Sequence, residues 1–281
     1  MDCIFVSDLH GKKDRYRKLF EIINERKPDS VLIGGDLLPL DIRLKSKVKQ
    51  FFENNLFKKI RDIKSESKKK IDFYIIMGND DPKIYEKYLL EAQKEGIINY
   101  IHNKSVKSND IYITGYSYIP PSPFQLKDWE KYDVSRYVDI GAVSPEKGGR
   151  SVKIPDNEIR YSTIKKDLEI LVKKSPPEKT IYLFHSPPYE TDLDRADLDG
   201  KKIDHVPVDL HVGSIAIKRF IKEKKPLLTL HGHVHETVEM TGSWNEKIGD
   251  TYCFTAAHNG PELAVIEFDT DELDKAERLL V

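Results

Sequence analysis

The sequence predicts an α/β fold of layered type, with largely parallel pairing at its start. Two observations carry this: apolar strand-like runs alternate with helical patterns through the first half, and potential metal-binding residues appear wherever such a run ends. A third concerns the last part of the chain, where TYCFTAA and LAVIEFD read as antiparallel strands without intervening helices.

Taken in order, residues 3–7 form a strand, 12–26 a helix, and 30–33 a second strand ending in Gly34-Gly35-Asp36. A charged helix is expected over 42–63. The solvated run KSESKKK follows, then a third strand, FYIIM, ending in Gly78-Asn79-Asp80-Asp81. Short strands are expected at 97–101 and 111–114. Residues 116–160 are rich in Tyr, Pro, Gly and charge, and read as an irregular insertion with one short helix at 126–132. A helix over 157–174 leads through Pro176-Pro177 to the strand IYLF, which ends at His185. A second irregular stretch, 186–211, precedes a helix at 213–224 and the strand LLTL, which runs into HGHVHE. No internal repeat and no Gly/Ser linker divides the chain, so residues 1–281 are expected as a single domain.

Composition narrows the function. Hydrophobic residues make up 39% and charged residues 33%, as in a hydrophilic globular protein. Lys and Arg number 46 against 47 Asp and Glu, a net charge of -1. Nucleic acid is therefore not favoured as a partner, since such proteins usually carry a basic excess. The N-terminal run is short and acidic, unlike a signal peptide, and no run reaches the ~18 apolar residues of a membrane span. Cys3 and Cys253 read as two buried thiols, and a cytoplasmic location without membrane attachment is expected.

Five strands end in residues that can bind metal: Asp8 and His10, Asp36, Asn79, His185, and His233 with His235. Carboxyl ends of strands in open α/β sheets are where sites are built, so these residues are expected to converge. Carboxylate oxygen, imidazole nitrogen and one amide oxygen suit Mn, Fe, Ni or Zn, and disfavour Ca or Mg held by oxygen alone. Singly, each motif is weak, because Gly-Asp and Gly-Asn after a strand are often mere turns. Three histidines within residues 231–235 are harder to dismiss.

The ordered set Asp8-Leu9-His10, Gly35-Asp36, Gly78-Asn79, a lone His185 after a strand, and Gly232-His233-Val234-His235 resembles the calcineurin-like metallophosphoesterases. The likeness runs from residue 8 to residue 235, and Asn259-Gly260 resembles a later turn of many members. It implies a four-layer sandwich, two facing mixed β-sheets flanked by helices, with two metals at one edge. It further implies one ion on Asp8, His10, Asp36 and His235, and another on Asp36, Asn79, His185 and His233, with Asp36 bridging. Hydrolysis of a phosphate ester by a metal-bridging hydroxide would follow. One departure stands out: most members carry a His after the Asn, thought to protonate the leaving group, where this chain has Asp80.

Around this set, Asp80 is expected to be ionised and Asp81 solvated. His205 or His211 is a candidate substitute proton donor, with a surface or structural role as the alternative. Arg195 either forks onto a phosphate or pairs with Asp192 or Asp197. His231 is expected to point away from the metals and support them from behind. His102 and His258 have no role readable from sequence. The stretch from Tyr116 to Trp129 either walls the pocket or packs in the core. The leading function is a phosphodiesterase on a nucleotide or other small diester. A phosphomonoesterase or protein phosphatase, a nuclease, and a non-catalytic scaffold of the same fold are the alternatives. Oligomeric state is not encoded in any of these features.

Overall fold

The protein is described by a computed structural model covering residues 1–40 and 45–281. The chain opens with β1 (Asp2–Val6), α1 (Lys13–Arg26) and β2 (Ser30–Ile33), then α2 (Lys45–Phe52) and α3 (Lys58–Glu66). A π-helical turn at Glu53–Phe57 joins α2 to α3, so the expected helix at 42–63 is continuous from Lys45 onward. Its first residues lie outside the described ones. β3 (Asp72–Ile75), α4 (Glu86–Lys94), β4 (Asn99–Tyr100), β5 (Lys104–Ser108) and β6 (Ile111–Tyr116) follow. After the insertion come α5 (Asp156–Tyr161), α6 (Ile164–Leu171), β7 (Thr180–Phe184), the small hairpin β8 (Lys202–Ile203) and β9 (Val206–Pro207), and α7 (Ile215–Lys224). β10 (Leu228–His231), α8 (Thr237–Thr241), β11 (Asn245–Ile248), β12 (Thr251–Thr255), β13 (Ala264–Asp269) and β14 (Glu277–Leu280) complete the order.

Apart from the β8–β9 hairpin, the strands form two six-stranded mixed sheets, ordered β14-β13-β1-β2-β3-β4 and β11-β12-β10-β7-β6-β5. In the first, β1, β2, β3 and β4 run parallel, β13 lies antiparallel to β1, and β14 antiparallel to β13. Cys3 and Phe5 of β1, Leu32 of β2, Ile181 and Leu183 of β7, Leu228 and Leu230 of β10 and Phe254 of β12 share one buried cluster between the sheets. Ile4, Val6, Val31 and Ile33, one residue out of phase, belong to a second cluster with Tyr16, Leu19, Phe20 and Ile23 of α1. Alternate side chains of one strand thus enter two different cores. That is why these strands read as near-continuous apolar runs. Four layers result: helices, sheet, sheet, helices.

Three expectations change. The antiparallel reading of the C-terminal strands holds for β13, but β12 pairs parallel with β10 and antiparallel only with β11. No helix forms at 126–132, because that backbone bonds outward: Lys127 N–H donates to Gly149 and Lys131 N–H to Ile119. The fully buried Lys127–Glu130 ion pair, at 2.6 Å, pins the turn. The helix expected at 157–174 is two helices, since Thr163 is extended and caps α6 by accepting from Lys166 N–H. Tyr116, Tyr118 and Trp129 pack in the core, with the Trp129 indole donating to the Asp81 carbonyl at 2.7 Å. No helix among the described residues is long and apolar enough to cross a membrane.

Candidate metal centre

β1 and β2 are parallel neighbours, so the loops leaving them emerge side by side at one edge. Their backbones stay paired beyond the strands: Asp8 N–H donates to Gly35, His10 N–H to Asp36 and Gly11 N–H to Leu37. To turn there, Asp8, His10 and Asp36 take φ of 56°, 45° and 52°, and His233 takes 75°. L-residues visit this left-handed region rarely, Asp and Asn less so than others. Two glycines are required by close approach. A Cβ on Gly78 would lie 2.3 Å from Asp36 Oδ1, and one on Gly232 would lie 2.0 Å from Ser7 Oγ.

The side chains converge. One ligand-capable atom from each of Asp8, His10, Asp36 and His235 lies within 4.8 Å of every other. His10 Nε2 faces His235 Nε2 at 2.9 Å and Asp36 Oδ2 at 3.7 Å, while His235 Nε2 stands 3.3 Å from Asp8 Oδ1. On the other side of Asp36, His185 Nε2 lies 3.4 Å from Asp36 Oδ2 and 2.9 Å from Asn79 Oδ1. The His233 ring sits 5.3 Å from that of His185, centroid to centroid. Asp36 Oδ2 therefore faces both halves, and its Oδ1 accepts the Asp80 N–H at 2.8 Å.

The donor chemistry fits cations. His185 Nδ1 lies 2.7 Å from the Gly34 carbonyl, which can only accept, so Nδ1 carries the proton. A neutral ring then aims a lone pair from Nε2 at the lone pairs of Asn79 Oδ1 and Asp36 Oδ2. Burial opposes a charged ring, but the Asp36 and Asp8 carboxylates outweigh it and push His185 up to about 10. A proton or a divalent cation reconciles these acceptors, and a divalent cation likewise suits the facing Nε2 atoms of His10 and His235. Burial and the nearby rings hold His233 down at about 3, keeping its lone pair available. His10 Nδ1 is buried without a hydrogen-bond partner.

Asp80 stands at the rim, half-buried, its Oδ1 accepting from Asn79 Nδ2 and its Oδ2 3.8 Å from His10 Nδ1. Burial and the Asp36 charge push it up to about 7. Among the described residues, no hydrogen bond or ion pair links Arg195, His205 or His211 to this cluster. Arg195 forks onto Asp199 at 2.7 and 2.8 Å and donates to the Ala196 carbonyl. His205 is exposed in the turn of the β8–β9 hairpin. His211 Nδ1 meets the buried Asp194 carboxylate at 2.7 Å. His231 is turned towards Ser186 O and Thr229 Oγ1, and burial holds it neutral, down at about 4.

Two residues escaped the sequence reading. Asp81, expected in solvent, is fully buried and accepts three backbone N–H bonds. Arg15 is buried behind the first loop, donating to Asp8 O at 2.5 Å and to Gly260 O at 2.6 Å. Its signal was an arginine on the apolar stripe of α1, four residues before Leu19.

The family profile described as calcineurin-like phosphoesterase matches residues 1–237. Among solved structures, the TT1561 protein of Thermus thermophilus superposes with TM-score 0.60 at 17% identity, covering 99% of this chain and 98% of that one. A dimetal phosphatase from Danio rerio superposes with TM-score 0.53 at 11% identity, covering 100% of this chain and 98% of that one. At such identities the likeness is one of fold. No curated protein matches the chain in sequence. The match over residues 1–237, a span that contains all five strand ends, places this chain in the calcineurin-like phosphoesterase family.

Proposed function

We propose that this chain hydrolyses phosphate esters with two divalent transition-metal ions, Mn, Fe, Ni or Zn, and that its substrate is a small phosphodiester such as a nucleotide. The single observation that carries the reading is the convergence of bare acceptors on Asp36 from two sides, which a pair of cations would satisfy. Asp8, His10, Asp36 and His235 would hold one ion, and Asp36, Asn79, His185 and His233 the other. Two ions in such a cradle supply positive charge for the phosphoryl oxygens and lower the pKa of a water to serve as nucleophile.

The protein's own part is to fix the ligands and choose their protonation. Gly34 O fixes the His185 tautomer, and Asp80 N–H takes Asp36 Oδ1 so that Oδ2 faces inward. Arg15 holds the Asp8 carbonyl from behind. Asp80 occupies the place of the usual proton-donating His. A filled cradle would pull its pKa down and leave it ionised, unable to protonate a departing alkoxide. That favours diesters with good leaving groups over simple alkyl monoesters.

The test is hydrolysis by metal-free protein with Mn, Fe, Ni, Zn or Mg restored one at a time. Bis(p-nitrophenyl) phosphate, p-nitrophenyl phosphate and an alkyl monoester form the panel. Metal-dependent turnover, greatest on the diester, is expected. No turnover with any ion on any ester would leave the fold as a scaffold and end this reading.

A further inference from the structure

Asp80 and Asp81 are neighbours with opposite surroundings. Asp80 faces the rim, whereas Asp81 is wholly enclosed and has no cation among its hydrogen-bond partners. Its Oδ1 accepts the N–H groups of Leu37 at 2.9 Å and Leu38 at 2.8 Å. Its Oδ2 accepts the Gly78 N–H at 3.0 Å and also faces the Leu37 N–H at 3.0 Å. Leu37 and Leu38 directly follow Asp36, and Gly78 directly precedes Asn79. One buried carboxylate therefore ties the backbone beside the residue facing both halves of the centre to the backbone beside the amide ligand candidate.

The tie is reciprocal. Asp36 Oδ1 takes the Asp80 N–H at 2.8 Å, so each loop offers a carboxylate to the other's peptide N–H groups. The arrangement is also anchored from outside, because the Asp81 carbonyl accepts the Trp129 indole at 2.7 Å. Enclosing an anion without a counter-ion is unfavourable unless donors surround it, and three peptide N–H groups do so here. Packing alone would be served as well by an apolar residue of similar size. Joining three donors on two loops requires two acceptor oxygens.

We infer that Asp81 is a positioning residue: it fixes Asp36 against Asn79 and so controls occupancy of the metal position those two share. The inference rests on the two-metal reading above. Asp81→Asn keeps the shape but turns one oxygen into an N–H donor. In either flip of the amide that donor meets a peptide N–H, from Leu37 and Leu38 or from Gly78.

The experiment titrates Mn into metal-free wild-type and Asp81→Asn protein and follows kcat and KM on bis(p-nitrophenyl) phosphate. Amide hydrogen exchange at Leu37, Leu38 and Gly78 is measured on the metal-free forms. In the variant, one ion should bind ~10–100-fold more weakly, the range usual when a partner behind a ligand is lost. kcat should fall with KM nearly unchanged, and the three amides should exchange faster. A variant that binds both ions like wild type with unchanged kcat, even if it melts lower, would make Asp81 a stability residue and overturn the inference. Unchanged exchange at the three amides would overturn it too. If wild-type protein took up no Mn, the two-metal reading would fail by itself, and exchange would still decide whether Asp81 clasps the loops. Should Asp81→Asn not fold, Trp129→Phe removes the indole donor to the Asp81 carbonyl together with part of a buried ring, and should shift the same three measurements in the same direction by a smaller amount. No shift in that variant would count against the clasp.

Discussion

Substituting Gly78 by alanine asks how tightly the candidate centre is built. The added methyl carbon would lie 2.3 Å from Asp36 Oδ1 and 2.6 Å from both Asp36 N and His185 Cε1. Carbon contacts settle at ~3.5–4.0 Å, so each neighbour must yield by about 1 Å. One of them is backbone and another belongs to a buried ring held at 2.7 Å by Gly34 O, so neither can swing aside as a flexible side chain would. Overpacking of this kind costs ~1–3 kcal/mol. In a protein of this size that corresponds to a fall in melting temperature of about 2–12 °C. A displacement of ~1 Å at reacting groups can cost ~10²-fold in rate. Melting of the metal-free protein and kcat/KM on bis(p-nitrophenyl) phosphate read the two effects separately. Gly149→Ala is the control, since a Cβ there meets only Gln125 O at 3.8 Å. Gly78→Ala protein with the melting temperature and kcat/KM of the Gly149→Ala control would refute the argument that Asp36, Gly78 and His185 interlock.

Asp36→Asn should lower bound metal at both positions, because one carboxylate oxygen faces His10 and His185 together; two ions per chain in the variant, by elemental analysis, would deny it a bridging place. Asp80→His should raise turnover of alkyl esters relative to p-nitrophenyl esters, with general-acid help of ~10²–10⁴-fold as the ceiling; an equal change on both substrates would show that leaving-group protonation is not what position 80 controls. His102 is buried, with Nδ1 accepting the Ser117 N–H, and burial together with Lys83 and Lys131 holds it well below the usual histidine range. The unfolded chain then binds more protons than the folded one below pH ~6.5, so stability falls as pH drops, by up to ~1.4 kcal/mol per unit from this residue. His102→Asn keeps an acceptor for Ser117 and should flatten that part of the slope between pH ~6.5 and ~5 in urea unfolding; an unchanged slope would mean the ring is not held neutral.

The strands were legible because most are buried on both faces, and an apolar run with a charged terminus is hard to mistake. β5 and β14 were missed for the opposite reason: KSVKS and ERLL lie at sheet edges, partly exposed, and carry too much charge to stand out. The insertion was legible only as irregular. Its order comes from Lys127, Glu130, Asp128 and Ser151 bonding to one another and across dozens of residues, and no local period records that. Candidate ligands were legible from type and strand-end position, whereas Asp81 was misjudged because sequence cannot tell which of two adjacent aspartates turns inward. Burial decides it: three peptide N–H groups in need of an acceptor lie on the inner side of that turn, and the open rim lies on Asp80's side.

The four left-handed residues at the centre connect these points. Asp8, His10, Asp36 and His233 each hold a conformation that costs of order 1 kcal/mol or more outside glycine. Hydrogen bonds sustain it. Asp8 and His10 donate their N–H groups to the next loop, His233 N–H donates to the Asp8 carboxylate, and Arg15 grips the Asp8 carbonyl. An extended strand would carry these side chains onward past the sheet edge, each to its own side. One left-handed residue bends the backbone sharply and turns the side chains back across the edge towards the neighbouring strand's loop. Convergence at three of the five strand ends, those of β1, β2 and β10, is therefore a property of backbone conformation first and of side-chain chemistry second. The sequence signature of the site follows from the same cause: glycines at 11, 35, 78 and 232 flank the ligand candidates, where the chain turns or where a Cβ would collide with a ligand on the adjoining loop. A chain could keep all seven candidate ligands and lose their convergence by altering one of those glycines.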